Sequence, residues 1–186
     1  ISSGTITAKE NLKVTLHIIT TGDATPNYRF NSDTGSNYAR RQSQNGGTDG
    51  TGTSQTYLVA GYGGSNVHMH IESNIINIAN KEKLVTSHSM RTTSTAGNAP
   101  DRQEIVGKWT NTSDSITSID VVNLDGSADL VAGSYITVWG ASDDVVSDEK
   151  TTLTNVPTNS RYEETDTRKI YRMVGDTIAT LNHDFV

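Results

Sequence analysis

Leu12-Lys13-Val14-Thr15-Leu16-His17-Ile18 decides the fold. Apolar and polar residues alternate one by one. Successive side chains of a strand point to opposite faces, so this stretch has one dry face and one wet face. The same period of two recurs outward along the chain. It pairs Tyr28 with Phe30, Tyr57 with Val59, and Val67 with Met69 and Ile71; after a break it pairs Ile76 with Ile78. Ile105 and Trp109 fit one strand face across Gly107, and Ile119 and Val121 fit another. Tyr135, Thr137 and Trp139 alternate with Ile136 and Val138. Between these runs stand turn clusters: Thr21-Gly22-Asp23, Asn45-Gly46-Gly47, Gly63-Gly64-Ser65, Ala96-Gly97-Asn98-Ala99-Pro100 and Leu124-Asp125-Gly126-Ser127. Nowhere does an i, i+3, i+4, i+7 stripe persist, and Asn80-Lys81-Glu82-Lys83 is at most one helical turn or a hairpin tip. Short strands with Gly/Asn/Asp turns predict an all-β sandwich or barrel.

Composition narrows the function. The chain has 186 residues, 15 Lys and Arg against 21 Asp and Glu, a net charge of −6 and no cysteine. Disulfides, thiolate metal sites and cysteine nucleophiles are excluded, and no basic patch for nucleic acid is expected. The longest apolar runs are a few residues, so no segment is expected to span a bilayer. The first residue is Ile1 rather than Met, as expected of a processed or trimmed start. Apolar residues make up 33% and aromatic ones 6%, which allows one narrow core with Trp109 and Trp139 as its largest pieces. So thin a core favours assembly, with Ile1 to Thr7 and the segment after residue 143 as arms for strand exchange between copies.

A domain boundary is expected near residue 143: residues 1–142 form the sandwich, and 143–186 form a linker and a C-terminal β-hairpin arm. The acidic run Asp143 to Lys150 has little to bury. Beyond Pro157, Arg161 to Arg172 is predicted as two strands with a polar centre, followed by a turn at Gly175-Asp176 and a last strand from Thr177 to Leu181.

Catalytic signatures are lacking: there is no Gly-x-Ser-x-Gly elbow and no His-Glu-x-x-His pair. Gly61-Tyr62-Gly63-Gly64 lacks the following Lys-Ser/Thr of a phosphate loop and is expected to be a plain loop. The carboxylate pairs Asp143-Asp144 and Glu163-Glu164 sit in polar segments, where neither member gains the apolar pocket that acid catalysis needs. No enzyme and no cofactor are expected. His68 and His70, two apart, share a strand face and are weak metal candidates without a third ligand; a wet or interface strand face is the favoured reading. Asn123 to Asp129 partly mimics a calcium loop but lacks its distal Glu, so Asp125-Gly126 is expected to be a hairpin turn. Tyr28, Arg29, Tyr38, Arg40 and Arg41 are candidates for glycan contact, since rings stack on pyranoses and guanidinium groups donate paired bonds. The alternative is one core face with Arg stems at its rim. The polar stretch from Gln42 to Ser54 is expected to be an exposed apical loop.

Several segments resemble structural proteins of tailed-virus particles, namely fibre, decoration and receptor-binding proteins. They are Asn77 to Val85, Gly97 to Arg102, Val106 to Ser113, Ile116 to Asp120, and Leu130 to Gly140, which is similar to the closing strand of jelly-roll modules in such proteins. The tail Asn155 to Tyr171 resembles a short repeat-like element of virion proteins. The resemblance implies an antiparallel jelly-roll sandwich, trimeric or higher, on a virion surface. It implies contacts with copies of itself, with other virion proteins, and with host-surface glycans as candidate partners. Arg161, Tyr162, Glu163, Ile170, Tyr171 and Arg172 are the expected assembly residues. The competing expectations are a secreted carbohydrate-binding module and a subunit of an extracellular filament held by strand exchange.

Overall fold

The computed structural model describes residues 1–124 and 130–141, and the strand backbone of 161–163, 170–174 and 177–180. Two compact units divide the chain, Ile1–Ala141 and Ser142–Val186. All the described elements are strands, and all their pairings are antiparallel.

The first unit holds ten strands: β1 (Asn11–Ile19), β2 (Pro26–Phe30), β3 (Tyr38–Gln44), β4 (Gly50–Gln55), β5 (Leu58–Val59), β6 (His68–Ile76), β7 (Lys83–Arg91), β8 (Asp101–Trp109), β9 (Ile119–Asn123) and β10 (Tyr135–Ala141). Seven form one sheet in the order β10-β1-β6-β7-β8-β3-β4, and three form a second in the order β5-β2-β9. Strict alternation of burial along β1, β6 and β7 turns one face of the large sheet inward. Its inward residues Val14, Leu16, Met69, Ile71, Ile75, Val85 and Trp109 share a core with Tyr28, Phe30, Leu58, Ile119 and Val121 of the small sheet. The two sheets therefore stack as a sandwich.

Polar groups cross this core in a satisfied chain. Tyr28 Oη is 2.9 Å from Ser73 Oγ, Ser73 donates to Ser87 at 2.8 Å, and Ser87 donates to the Ala60 carbonyl at 2.6 Å. Burial pushes the Tyr28 phenol well above its ordinary range, against the opposing pull of the Ser73 bond. A second group gathers at one end. Phe30 lies 6.0 Å from Tyr38 and 5.9 Å from Trp109 between ring centres. Trp109 Nε1 donates to Asp33 at 2.7 Å, so the largest core ring also satisfies its polar edge. Tyr38 Oη accepts from the Phe30 amide at 3.0 Å, and burial pushes its pKa up to about 12.

Three sequence expectations need correction. Trp139 lies outside the core: β10 turns Ile136 and Val138 inward and leaves Trp139 exposed. Ile76 is exposed because β6 runs without a break through an inward Ser73, so Ile75 takes the buried position. The stretch after Gln42 completes β3 and forms β4, with only residues 45–49 as a turn. Ile1 to Ile6 runs beside β9 of its own chain: Ile1 N donates to the Val121 carbonyl at 2.9 Å, and Ile6 N to the Thr117 carbonyl at 2.8 Å. Asn80 takes φ 59° in the β6–β7 turn, and the following Lys83 is buried. Its ammonium donates to the Lys81 carbonyl at 2.6 Å and the Asn111 carbonyl at 3.2 Å, and burial lowers its pKa against the opposing pull of Asp114.

The second unit holds β11 (Arg161–Glu163), β12 (Ile170–Val174) and β13 (Thr177–Thr180), in that order in one sheet. Its register sets Arg161 opposite Arg172, Tyr162 opposite Tyr171 and Glu163 opposite Ile170. The side chains of these six candidate assembly residues, the acidic segment after residue 143, the Gly175-Asp176 turn and the Asp125-Gly126 turn lie outside the described residues.

Candidate functional site

The outward face of the seven-stranded sheet gathers most of the described large apolar side chains that remain exposed. Tyr135 is 56% exposed, Leu84 54%, Trp139 53% and Val106 53%, and Met90 and Ile76 share the same face. Register places them in rows across the strands. One row runs Tyr135, His17, His70, Met90, Arg102; the next runs Thr137, Thr15, Glu72, His88, Glu104. A third runs Trp139, Lys13, Asn74, Thr86, Val106, Arg41, and a fourth places Ile76 beside Leu84 and Lys108.

Charge is interleaved with these side chains. Glu72 lies 3.6 Å from Lys13 Nζ and 3.6 Å from His70 Nε2; Arg41 pairs with Asp49 at 3.2 Å, and Lys108 with Glu82 at 2.8 Å. All are well exposed, so each pair adds little to stability and is available to a partner. His17 stacks on Tyr135 at 5.3 Å and meets His68 edge-on at 5.8 Å. A shallow concavity of about 430 Å³ crosses the middle of the face between Arg41, Glu72, His88 and Val106.

The histidines predicted to share a face do so: His68 and His70 point outward around an inward Met69. Among the described residues no three His, Asp or Glu side chains converge to hold a metal ion. The aromatic–arginine patch does not form. Tyr28 and Tyr38 are buried in the core, with no ring face to offer a sugar. The three arginines go to three places. Arg29 donates to the Thr56 carbonyl at 3.3 Å beside the small sheet. Arg41 faces outward on β3, while its neighbour Arg40 faces the interior side and donates to Gln42 Oε1 at 2.8 Å. Consecutive strand residues point oppositely, which separates Arg40 from Arg41.

Two features escaped sequence reading. The exposed rows require the register of β10, β1, β6, β7 and β8, which no single strand reveals. Arg40 lines a cleft of about 420 Å³ beside the short β5, along with Gln42, Gln44, Gln103 and Arg91. In its wall, Gly61 and Gly63 are glycine because the space beside them is crowded: a side chain at Gly61 would meet Ile71 at 2.6 Å, and one at Gly63 the Ala24 carbonyl at 2.6 Å. Compared with known proteins, the chain matches no family model, no curated protein and no solved structure.

Proposed function

We propose that the chain is a non-enzymatic structural protein of a virion surface that assembles with copies of itself, as a trimer or a higher closed oligomer, and with other virion proteins. The outward face of the seven-stranded sheet carries this reading. Its exposed Tyr135, Trp139, Leu84, Val106, Met90 and Ile76, set among ionised side chains, have the mixed apolar and charged makeup of an interface. The likeness of the segments from Asn77 to Tyr171 to fibre and decoration proteins supplies the setting. A jelly-roll form goes with it: the chain passes between the two sheets six times, at β1–β2, β2–β3, β4–β5, β5–β6, β8–β9 and β9–β10. Host-surface glycans are the external partners of this reading.

A second reading, a filament held by strand exchange, draws on Ile1–Ile6, which is held to β9 by a short run of backbone bonds. Light scattering with electron microscopy of the purified chain tests both. A closed oligomer is expected. A monomer at tens of micromolar overturns the proposal, and an open-ended polymer favours the second reading.

A further inference from the structure

We propose that the cleft between the sheets beside β5 binds a neutral sugar residue at the end of a glycan. The starting observation is Gln103, almost fully buried on β8, whose Oε1 has no hydrogen-bond partner. A buried amide oxygen left unpaired is costly, and native folds rarely keep one without a reason. Gln103 forms part of the wall of the 420 Å³ cleft. Its terminal amide torsion is soft, so a small turn presents that oxygen to a donor in the cleft.

The surrounding groups define the donor's chemistry. Arg91 is fixed from three sides: Asp101 receives its Nε at 2.9 Å, the Gly63 carbonyl receives Nη1, and the Tyr62 ring lies 3.7 Å from its guanidinium carbon. Hydrogen bonds from Asn45 and from Arg91 hold the Asp101 carboxyl below its ordinary pKa. Arg40 bonds to the amide oxygens of Gln42 at 2.8 Å and Gln55 at 3.4 Å. Asp23 stands among the lining groups and Asp101 behind Arg91, so two cations meet two anions and the formal charge sums to zero. The site is therefore mostly polar yet electrically balanced, which favours a neutral ligand rich in groups that both donate and accept. A hydroxyl does both: it donates to Gln103 Oε1 while it accepts from a neighbouring amide or guanidinium N–H.

This inference rests on the glycan-contact part of the function proposed above and is independent of the assembly part. The test is a glycan array followed by NMR titration of the full chain with methyl glycosides of glucose, galactose, mannose and N-acetylglucosamine, and with sialic and glucuronic acids. Binding of at least one neutral glycoside is expected, weakened about tenfold by Gln103→Leu, the scale of one hydrogen bond. Because Gln103→Leu removes an unpaired buried oxygen, its thermal midpoint is expected to hold or rise. Gln44→Ala, at the partly exposed rim, checks the same cleft without touching the core. Exclusive binding of the acidic sugars overturns the inference. Neutral binding unchanged in both variants keeps glycan contact and overturns the cleft as its site, and no binding at all overturns both. A monomer that binds a neutral glycoside leaves the cleft standing and removes only the assembly.

Discussion

Asp33 shows how one side chain ties local chemistry to core packing. It accepts from Trp109 Nε1 at 2.7 Å, Asn37 Nδ2 at 2.8 Å and the Gly35 amide at 2.7 Å. Burial raises its pKa, but these bonds together outweigh that effect and hold it below the ordinary 3.8. A carboxylate whose folded pKa is depressed stabilises the fold above its unfolded value, and that contribution is lost as pH falls through the folded value. In urea unfolding, Asp33→Asn is therefore expected to cost about 1–3 kcal/mol at pH 7, with the gap to the unmodified chain closing as pH drops below 3.8. A gap constant down to strongly acid pH rules this out. Asp101, also depressed, titrates in both proteins and cancels in the comparison. The residue scale is also where sequence reading failed most. Alternation divides a strand into two faces but does not say which is inside. The bulk of Trp139 pointed inward, while its place on an edge strand left it outside.

At the scale of elements, the two-residue period was legible wherever both faces had distinct chemistry, as in β1, and in β8 at Ile105 and Trp109. It failed where a buried position is polar. Ser73 and Ser87 look like surface residues, yet they face inward to carry the hydrogen-bond chain from Tyr28 to Ala60. It failed too in β4, where Gly, Thr and Ser supply no apolar face, so the strand is held by its pairing with β3. The serine chain gives an ordered expectation. Tyr28→Phe removes one terminal bond and leaves Ser73 paired with Ser87, for about 1 kcal/mol. Ser73→Ala strands both the buried Tyr28 hydroxyl and part of Ser87, for about 2 kcal/mol or more. Equal costs in denaturant unfolding, or the reverse order, would show that Ser73 is not the link between the sheets.

For the whole molecule, a net charge of −6 opposes the association of copies at low salt, while the apolar rows of the outer face favour it. Which effect wins is a matter of ionic strength. Raising salt shrinks the screening length from about 30 Å at 0.01 M to about 8 Å at 0.15 M, which weakens the repulsion and leaves apolar contact intact. Oligomer formation by light scattering is accordingly expected to strengthen with added salt. Association that weakens over the same range would mean that charged side chains of the face, such as Arg41 and Lys108, pair across the contact and dominate it. Leu84 and Val106 are diagonal neighbours on the adjacent inner strands β7 and β8, both more than half exposed. Leu84→Asp and Val106→Asp bury nothing new in the monomer, so each should shift unfolding by no more than about 0.5 kcal/mol. In the assembly each would place a carboxylate against an apolar neighbour, so dissociation to a monomer at unchanged fold stability is the expected outcome. An oligomer that survives both substitutions uses another surface, and β4 and β10, the outermost strands of the seven-stranded sheet, are then the place to look.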